Sequence, residues 1–436
     1  MFGKFFGKKK KRELKSGTIE KDISYIMAVP KNAEEIEEPE VYIERLKNST
    51  LFNLIGVKVE KNIIVQIEYK EEIYDIELIP EEFEMSEMFI INHNFTEENY
   101  DAMLKADFGL TAAMKFKKSN IDSYHLQLKV LYSMLPDMIG LVDFSTEKII
   151  SSVWLKLAVE SDIPPSPDYL YSVQAISDDY ETVWLHTHGL NRCGSIEFEI
   201  LNSNKNTYKN HFSILQTIAK RVISNGRIAD EEEAFLIGYL NNRQPVIGTW
   251  ISWTLATTFY DNNIVGSMKD RIGEFNEHNK DTGVIYLYLS PKDCDNKKFH
   301  HVSCIDKYLS DNPIVMITTE ETIRMSKLAK ERLNYFKEAI KNPDIRGIMK
   351  FGLLVDEEYR EKDRVTTGEE REHIWFEVEE IDDPKIIKGL LAQEPYYISN
   401  LTVNSEVQLN LDDLTDWILY TPNGEITPDS VYLLEQ

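Results

Sequence analysis

Two periodicities interleave along this chain, and together they restrict its fold more than any single motif does. Ile374, Phe376 and Val378 alternate with Trp375 and Glu377. That is the pattern of a strand with one buried face, since successive side chains of a strand point to opposite sides. Leu54–Glu68 and Ile73–Ile79 are rich in Ile and Val and partly alternating. Phe108–Phe116, Met138–Val142, Leu170–Ile176, Thr182–His188, Gly283–Leu289, Val407–Leu411 and Trp417–Tyr420 read as further strands. Helix signals lie between them. Asn94–Phe95–Thr96 offers a cap for a helix reaching about Lys105, with Glu97 and Glu98 at the positive end of its dipole. Asp230–Glu231–Glu232–Glu233 and the pair Thr318/Glu321 give two more helix starts, the second running to about Asn342. Glu40–Leu46, Ser123–Leu135, Ile150–Ala158 and the apolar run Ile247–Phe259 read as helices. Pro164–Pro165–Ser166–Pro167 fixes an extended connection, because each proline drives its predecessor out of the α region. The expected architecture is α+β and multi-domain. It has a flexible basic tail over 1–17, an α+β domain over 18–205, a helix-rich domain over 206–343 and a small β-rich module over 344–436.

Charge narrows the functional classes. The net charge is −25, which repels a phosphate backbone and argues against general nucleic-acid binding. Residues 1–15 run the other way, with seven Lys and Arg against the single Glu13. Phe2, Phe5 and Phe6 among those lysines predict weak contact with an anionic membrane surface at most. The start has no apolar segment of the secretory kind. The longest uncharged run, Gln244–Tyr260, is shorter than the roughly 20 residues that a membrane-crossing helix needs. Cys193, Cys294 and Cys304 are too few and too irregular for a disulfide framework and fit a reducing cytosol. The expectation is a soluble cytoplasmic protein whose acidic body suits a basic protein partner, with its oligomeric state open.

Four side chains form the sharpest chemical candidate. On strands, His186 and His188 share one face with Trp184, and Glu197 shares a face with Glu199. If Gly189–Ser195 returns the chain antiparallel, two imidazoles meet two carboxylates, a ligand set suited to zinc and to water activation. A solvated, hydrogen-bonded sheet face is the plainer reading of the same spacing. Cys294, His300, His301 and Cys304 offer zinc donor types without the usual tight pairing. A Cys193 thiol beside His186 or His188 is a third arrangement. Nucleophile-elbow, P-loop and dinucleotide-binding motifs are absent. In the last module, His373, Trp375 and Trp417 place aromatic and titratable groups together, as interface anchors do; core positions in a small β module are the alternative.

The segment Trp184–Leu185–His186–Thr187–His188–Gly189–Leu190–Asn191–Arg192, running into Glu197–Phe198–Glu199–Ile200–Leu201, resembles the core of a bacterial family known as domain of unknown function 4026. Ile163–Pro164–Pro165–Ser166–Pro167–Asp168–Tyr169–Leu170–Tyr171 fits the same pattern. The last module resembles domain of unknown function 2314 through Glu372–His373–Ile374–Trp375–Phe376–Glu377–Val378, Gly389–Leu390, Glu394–Pro395 and Asp416–Trp417. The resemblance implies architecture and a bacterial cytosolic setting, and no chemistry. The functional expectation is a non-enzymatic macromolecule-binding protein without cofactor. The alternative is a metal-dependent hydrolase using zinc at His186 and His188.

Overall fold

In a computed structural model, the described residues are 19–435 apart from 61, 87–88, 92, 178–180, 227, 241–243, 261–263, 272–281, 310–318, 361–370 and 382. The expected basic tail over 1–17 lies outside them. The chain divides into two compact units, one of Met1–Glu160 with Pro165–Met316 and one of Ser161–Pro164 with Ile317–Gln436.

The first unit holds two sheets. Eight strands make the first: β1 (Ile23–Val29), β2 (Asn53–Val59), β3 (Ile63–Tyr69), β4 (Glu72–Glu82), β5 (Ile90–Ile91), β6 (Phe108–Lys115), β7 (Gly140–Asp143) and β8 (Lys148–Ser151). Their spatial order is β2-β3-β4-β6-β1-β7-β8-β5. Helix Asn120–Met134 is buried along most of its length, capped by Ser119. Its Gln127 amide donates to the backbone oxygens of Ser24 and Ala112, which ties the helix to β1 and β6. Elsewhere Met27, Val142 and Ile149 form a cluster with Met103 of helix Glu97–Lys105 and with Phe83, Phe95 and Phe144. Thr96 caps that helix as expected, accepting from Asn99 N at 3.3 Å.

The second sheet contains β9 (Ser172–Ser177), β10 (Thr182–His188), β11 (Glu197–Asn204), β12 (Phe235–Tyr239), β13 (Pro245–Ser252) and β14 (Thr282–Tyr288), in the order β12-β13-β14-β11-β10-β9. β11 and β14 run parallel. Helix Tyr208–Asn225 packs on β10 and β11, burying Ile214, Leu215, Ile218 and Val222. It stops at Gly226, whose φ of +73° closes the last turn. Two expected helices form only in part or not at all. Of Ile247–Phe259, the first part, Ile247–Ser252, belongs to β13, and only Trp253–Phe259 is helical, as the short helix Trp253–Ala256 with one 3-10 turn after it. A strand with neighbours on both sides reads as one apolar run, which period alone does not separate from a buried helix. Asp230–Glu233 leads through Glu232, at φ +63°, into β12 rather than opening a helix. Strand pairing therefore crosses residue 205, where composition had placed a boundary, and the units part near residue 317.

The second unit is one antiparallel sheet of β15 (Arg346–Leu354), β16 (Arg371–Glu377), β17 (Ile386–Leu391), β18 (Glu406–Asn410), β19 (Leu414–Thr421) and β20 (Gly424–Ile426), in the order β18-β17-β16-β15-β19-β20. Met349, Phe351, Ile374, Phe376 and Leu419 are buried. Helix Thr319–Glu331 packs on β19, and helix Leu333–Ala339 brings Phe336 against Gly347. Thr318, expected as the cap, lies outside the described residues. With three separate sheets and several helices, the α+β multi-domain expectation holds. Among the described residues no helix is long and apolar enough to cross a membrane.

Candidate functional site

The turn after β10 brings the chain back antiparallel, as its sequence suggested. Gly189 sits at φ +100°, and a Cβ there would meet Leu170 O at 2.5 Å, so only glycine fits the tight return. The register sets His186 opposite Glu199. His186, His188, Glu197 and Glu199 all line one cleft of about 670 Å³, which is also lined by Tyr25 of β1 and by Phe144 in the turn after β7.

The cleft brings the four side chains together but does not leave them as a metal-ligand set. Both Glu199 oxygens are occupied. They accept from Arg271 Nη1 at 3.0 Å and from Arg271 Nη2, from Trp184 Nε1 at 2.8 Å, and from the Thr282 hydroxyl. Arg271 itself lies between two indoles, 4.9 Å from the Trp184 ring centre and 4.7 Å from that of Trp253, and gives Nε–H to Gly266 O at 3.0 Å. Glu197 accepts from the Thr187 hydroxyl at 2.6 Å and from Asn191 N at 3.1 Å. Burial pushes its carboxyl above the ordinary range, against those hydrogen bonds. His188 Nδ1 stands 3.7 Å from Glu147 Oε1. The His186 ring lies between Trp184 and His188, with centres 4.6 and 4.8 Å away. Among the described residues no three His, Cys, Asp or Glu side chains are grouped to hold a metal. By strand alternation Thr187 lies on the face opposite His186 and His188, yet it bonds to Glu197; the β10–β11 pairing ends at His186 and Glu199.

A second buried ion pair adjoins the first. Arg192 reaches Asp143 of β7 with two parallel bonds of 3.0 and 2.9 Å, and also donates to the Ser24 hydroxyl at 2.9 Å and Leu170 O at 3.1 Å. Phe116 and Tyr124 flank its guanidinium. It joins the β10–β11 turn to the first sheet. In the sequence Arg192 stands out only as part of the family-like stretch and Arg271 not at all, since nothing there marks which arginines are withdrawn from water.

The other arrangements do not assemble. His301 bonds through Nδ1 to Ser303 and through Nε2 to Leu201 O, so both nitrogens are engaged in structure. His300 sits beside Asp293 at 3.4 Å, while Cys294 is half-buried and Cys304 exposed. Cys193 is wholly buried and its thiol is pushed up to about 12 by that burial, so it is no thiolate at neutral pH. Ser203, His211 and Asp306 form a hydrogen-bonded chain of 2.6 and 2.8 Å. Its serine and histidine are fully buried, so the hydroxyl meets no substrate.

In the second unit, Trp417 is core rather than an interface anchor. It is fully buried, donates to Ala329 O at 3.0 Å and packs edgewise on Phe336. Trp375 is half-buried with the Lys350 ammonium 5.2 Å from its ring centre. His373 is half-buried too, its Nδ1 3.3 Å from the Thr415 hydroxyl, and burial lowers its pKa. The exposed aromatic lies elsewhere. Tyr396 is 79% exposed on a loop held from behind by two carboxylates. Glu372, itself buried, accepts from Tyr396 N at 2.8 Å and Tyr397 N at 2.9 Å. Asp356 accepts from Ser399 N at 2.7 Å and from its hydroxyl at 2.6 Å. Tyr359 meets Tyr397 edge to face, and exposed Glu357, Glu358 and Glu394 belong to the same segments. The Tyr396–Tyr397 pair beside Glu394–Pro395 was the available signal, since a Glu-Pro-Tyr-Tyr run marks a turn bearing aromatics.

Three family models match. One described as protein of unknown function (DUF4026) N-terminal covers residues 24–165, and its C-terminal counterpart covers 173–286. One described as an uncharacterized protein conserved in bacteria (DUF2314) covers 320–427. No curated protein and no solved structure matches the chain.

Proposed function

The chain belongs to the DUF4026 family and carries a DUF2314 module, and from that premise we propose a non-enzymatic cytosolic protein whose C-terminal module binds a basic protein or peptide. The observation that carries this reading is the Tyr396 loop. An aromatic ring on a loop already fixed by Glu372 and Asp356 loses little freedom on binding. The acids Glu357, Glu358 and Glu394 favour a cationic partner, and Tyr faces accept Arg and Lys. Trp375 already carries Lys350 over its ring and His373 bonds to Thr415, so neither is the anchor in this reading. Three free cysteines support a reducing compartment, and the net charge of −25 supports a protein partner over nucleic acid.

The test is a titration of the full chain with a fluorescent arginine-rich peptide. Tyr396→Ala is expected to weaken binding about tenfold or more, the scale of an anchor residue, and added salt to weaken it further. Equal affinity of wild type and variant would contradict the reading. The competing hydrolase draws on the shared cleft of His186, His188, Glu197 and Glu199, but Arg271 already occupies Glu199. Elemental analysis separates the two, since stoichiometric zinc lost in His186→Ala/His188→Ala would favour the hydrolase.

A further inference from the structure

We propose that the cleft of the first unit binds a neutral, hydrogen-bonding small molecule, of the class that includes free sugars and nucleosides. Its volume of about 670 Å³ is that of a small-molecule site. What selects the class is how the charges of its floor are already matched. Glu199 is held by Arg271, and Arg192 by Asp143. Glu197 is shifted by burial toward its neutral form and takes two hydrogen bonds, and His188 faces Glu147.

The rim is only partly matched. Lys115 pairs with Glu20, while the Lys21 ammonium is held by neutral acceptors, Asn120 Oδ1 at 2.6 Å and Lys117 O. Asp22 is exposed at the rim, where water screens it. An anion brought to the floor would find each cation there already paired, and a cation would find each carboxylate already engaged. Either would lose its hydration for little return. A hydroxyl or amide only exchanges hydrogen bonds with water for bonds to lining groups such as the Asn191 side-chain amide and the Ser145 hydroxyl. Tyr25 and Phe144 add aromatic faces for the carbon side of such a molecule. This site is separate from the Tyr396 loop and stands whether or not that loop binds a partner.

Calorimetric titration of the full chain tests it with matched probes: glucose against glucose 6-phosphate, N-acetylglucosamine against its 6-phosphate, and adenosine against adenosine monophosphate. At least one neutral member is expected to bind saturably, its phosphate at least about tenfold more weakly, a difference of roughly 1.4 kcal/mol. Tyr25→Ala, at an exposed ring, and His188→Gln are each expected to remove most of that binding while the circular dichroism spectrum stays unchanged. Phosphates binding as tightly as their neutral partners, no neutral probe binding at all, or binding that survives in both variants would overturn the proposal.

Discussion

The β10–β11 cleft and the Tyr396 loop treat charge in opposite ways. In the cleft, ionised side chains are taken out of water and matched to one another, Arg192 to Asp143 and Arg271 to Glu199. In the loop, Glu372 and Asp356 hold backbone N–H groups, and the group they present to solvent is an aromatic ring. Charges matched internally add rigidity and little attraction for a charged visitor. Acids left exposed around a fixed ring give steering and an anchor. The two regions therefore suit different occupants, although both carry histidine, tryptophan and carboxylate in short stretches of sequence.

The largest expected effect comes from breaking the matching. Arg192→Ala leaves Asp143 buried without its partner and should lower the unfolding free energy of the first unit by about 3–5 kcal/mol in a urea titration. A loss under about 1 kcal/mol would mean that this charge is not truly withdrawn from water.

Acid should separate the units next. His93 and His125 are both lowered to about 3 by burial. A histidine with a depressed folded pKa contributes stability above its unfolded value near 6.5, and that contribution is lost as pH falls below it. From pH 7 to pH 5 each should cost the first unit about 2 kcal/mol. Asp416 in the second unit has the opposite sign. Burial raises it to about 6, so its contribution is present at low pH and is lost as pH rises through about 6. Thermal scans at the two pH values should show the first unit weakening more than the second. Equal losses would erase this part of the comparison.

Much of the fold was legible for local reasons. The β10–β11 hairpin and its antiparallel return follow from spacing within a few residues. So do the Thr96 cap and the alternation of Ile374, Phe376 and Val378. The plainer reading of His186, His188, Glu197 and Glu199 as a solvated face does not hold, since His186, Glu197 and Glu199 are buried. The partners that decide what the cleft can do come from far along the chain. Arg271 lies 72 residues from Glu199, and Arg192 lies 49 from Asp143. No local pattern announces such pairs, and they turned a candidate ligand set into a neutralised floor. Trp417 misled for a related reason: an indole with a polar tip looks the same in sequence whether it bonds to a buried carbonyl or to a partner. β1, β15 and β17 went unread because their partners, not their own periods, define them.

A smaller effect sharpens the loop side. Glu372→Gln replaces one of two carboxylate acceptors by an amide nitrogen, freeing the loop's grip while leaving Tyr396 in place. It should weaken arginine-rich peptide binding several-fold, about 1 kcal/mol, less than Tyr396→Ala does. Tyr396→Ala should in turn leave stability within about 0.5 kcal/mol of wild type, as at other exposed positions.

Hydrogen–deuterium exchange of the full chain, with and without an arginine-rich peptide, bears on both regions in one experiment. Slower exchange over 389–404, with 182–204 unchanged, is the expected result. Slower exchange at the β10–β11 cleft, with the Tyr396 loop unaffected, would contradict the division of roles drawn between them.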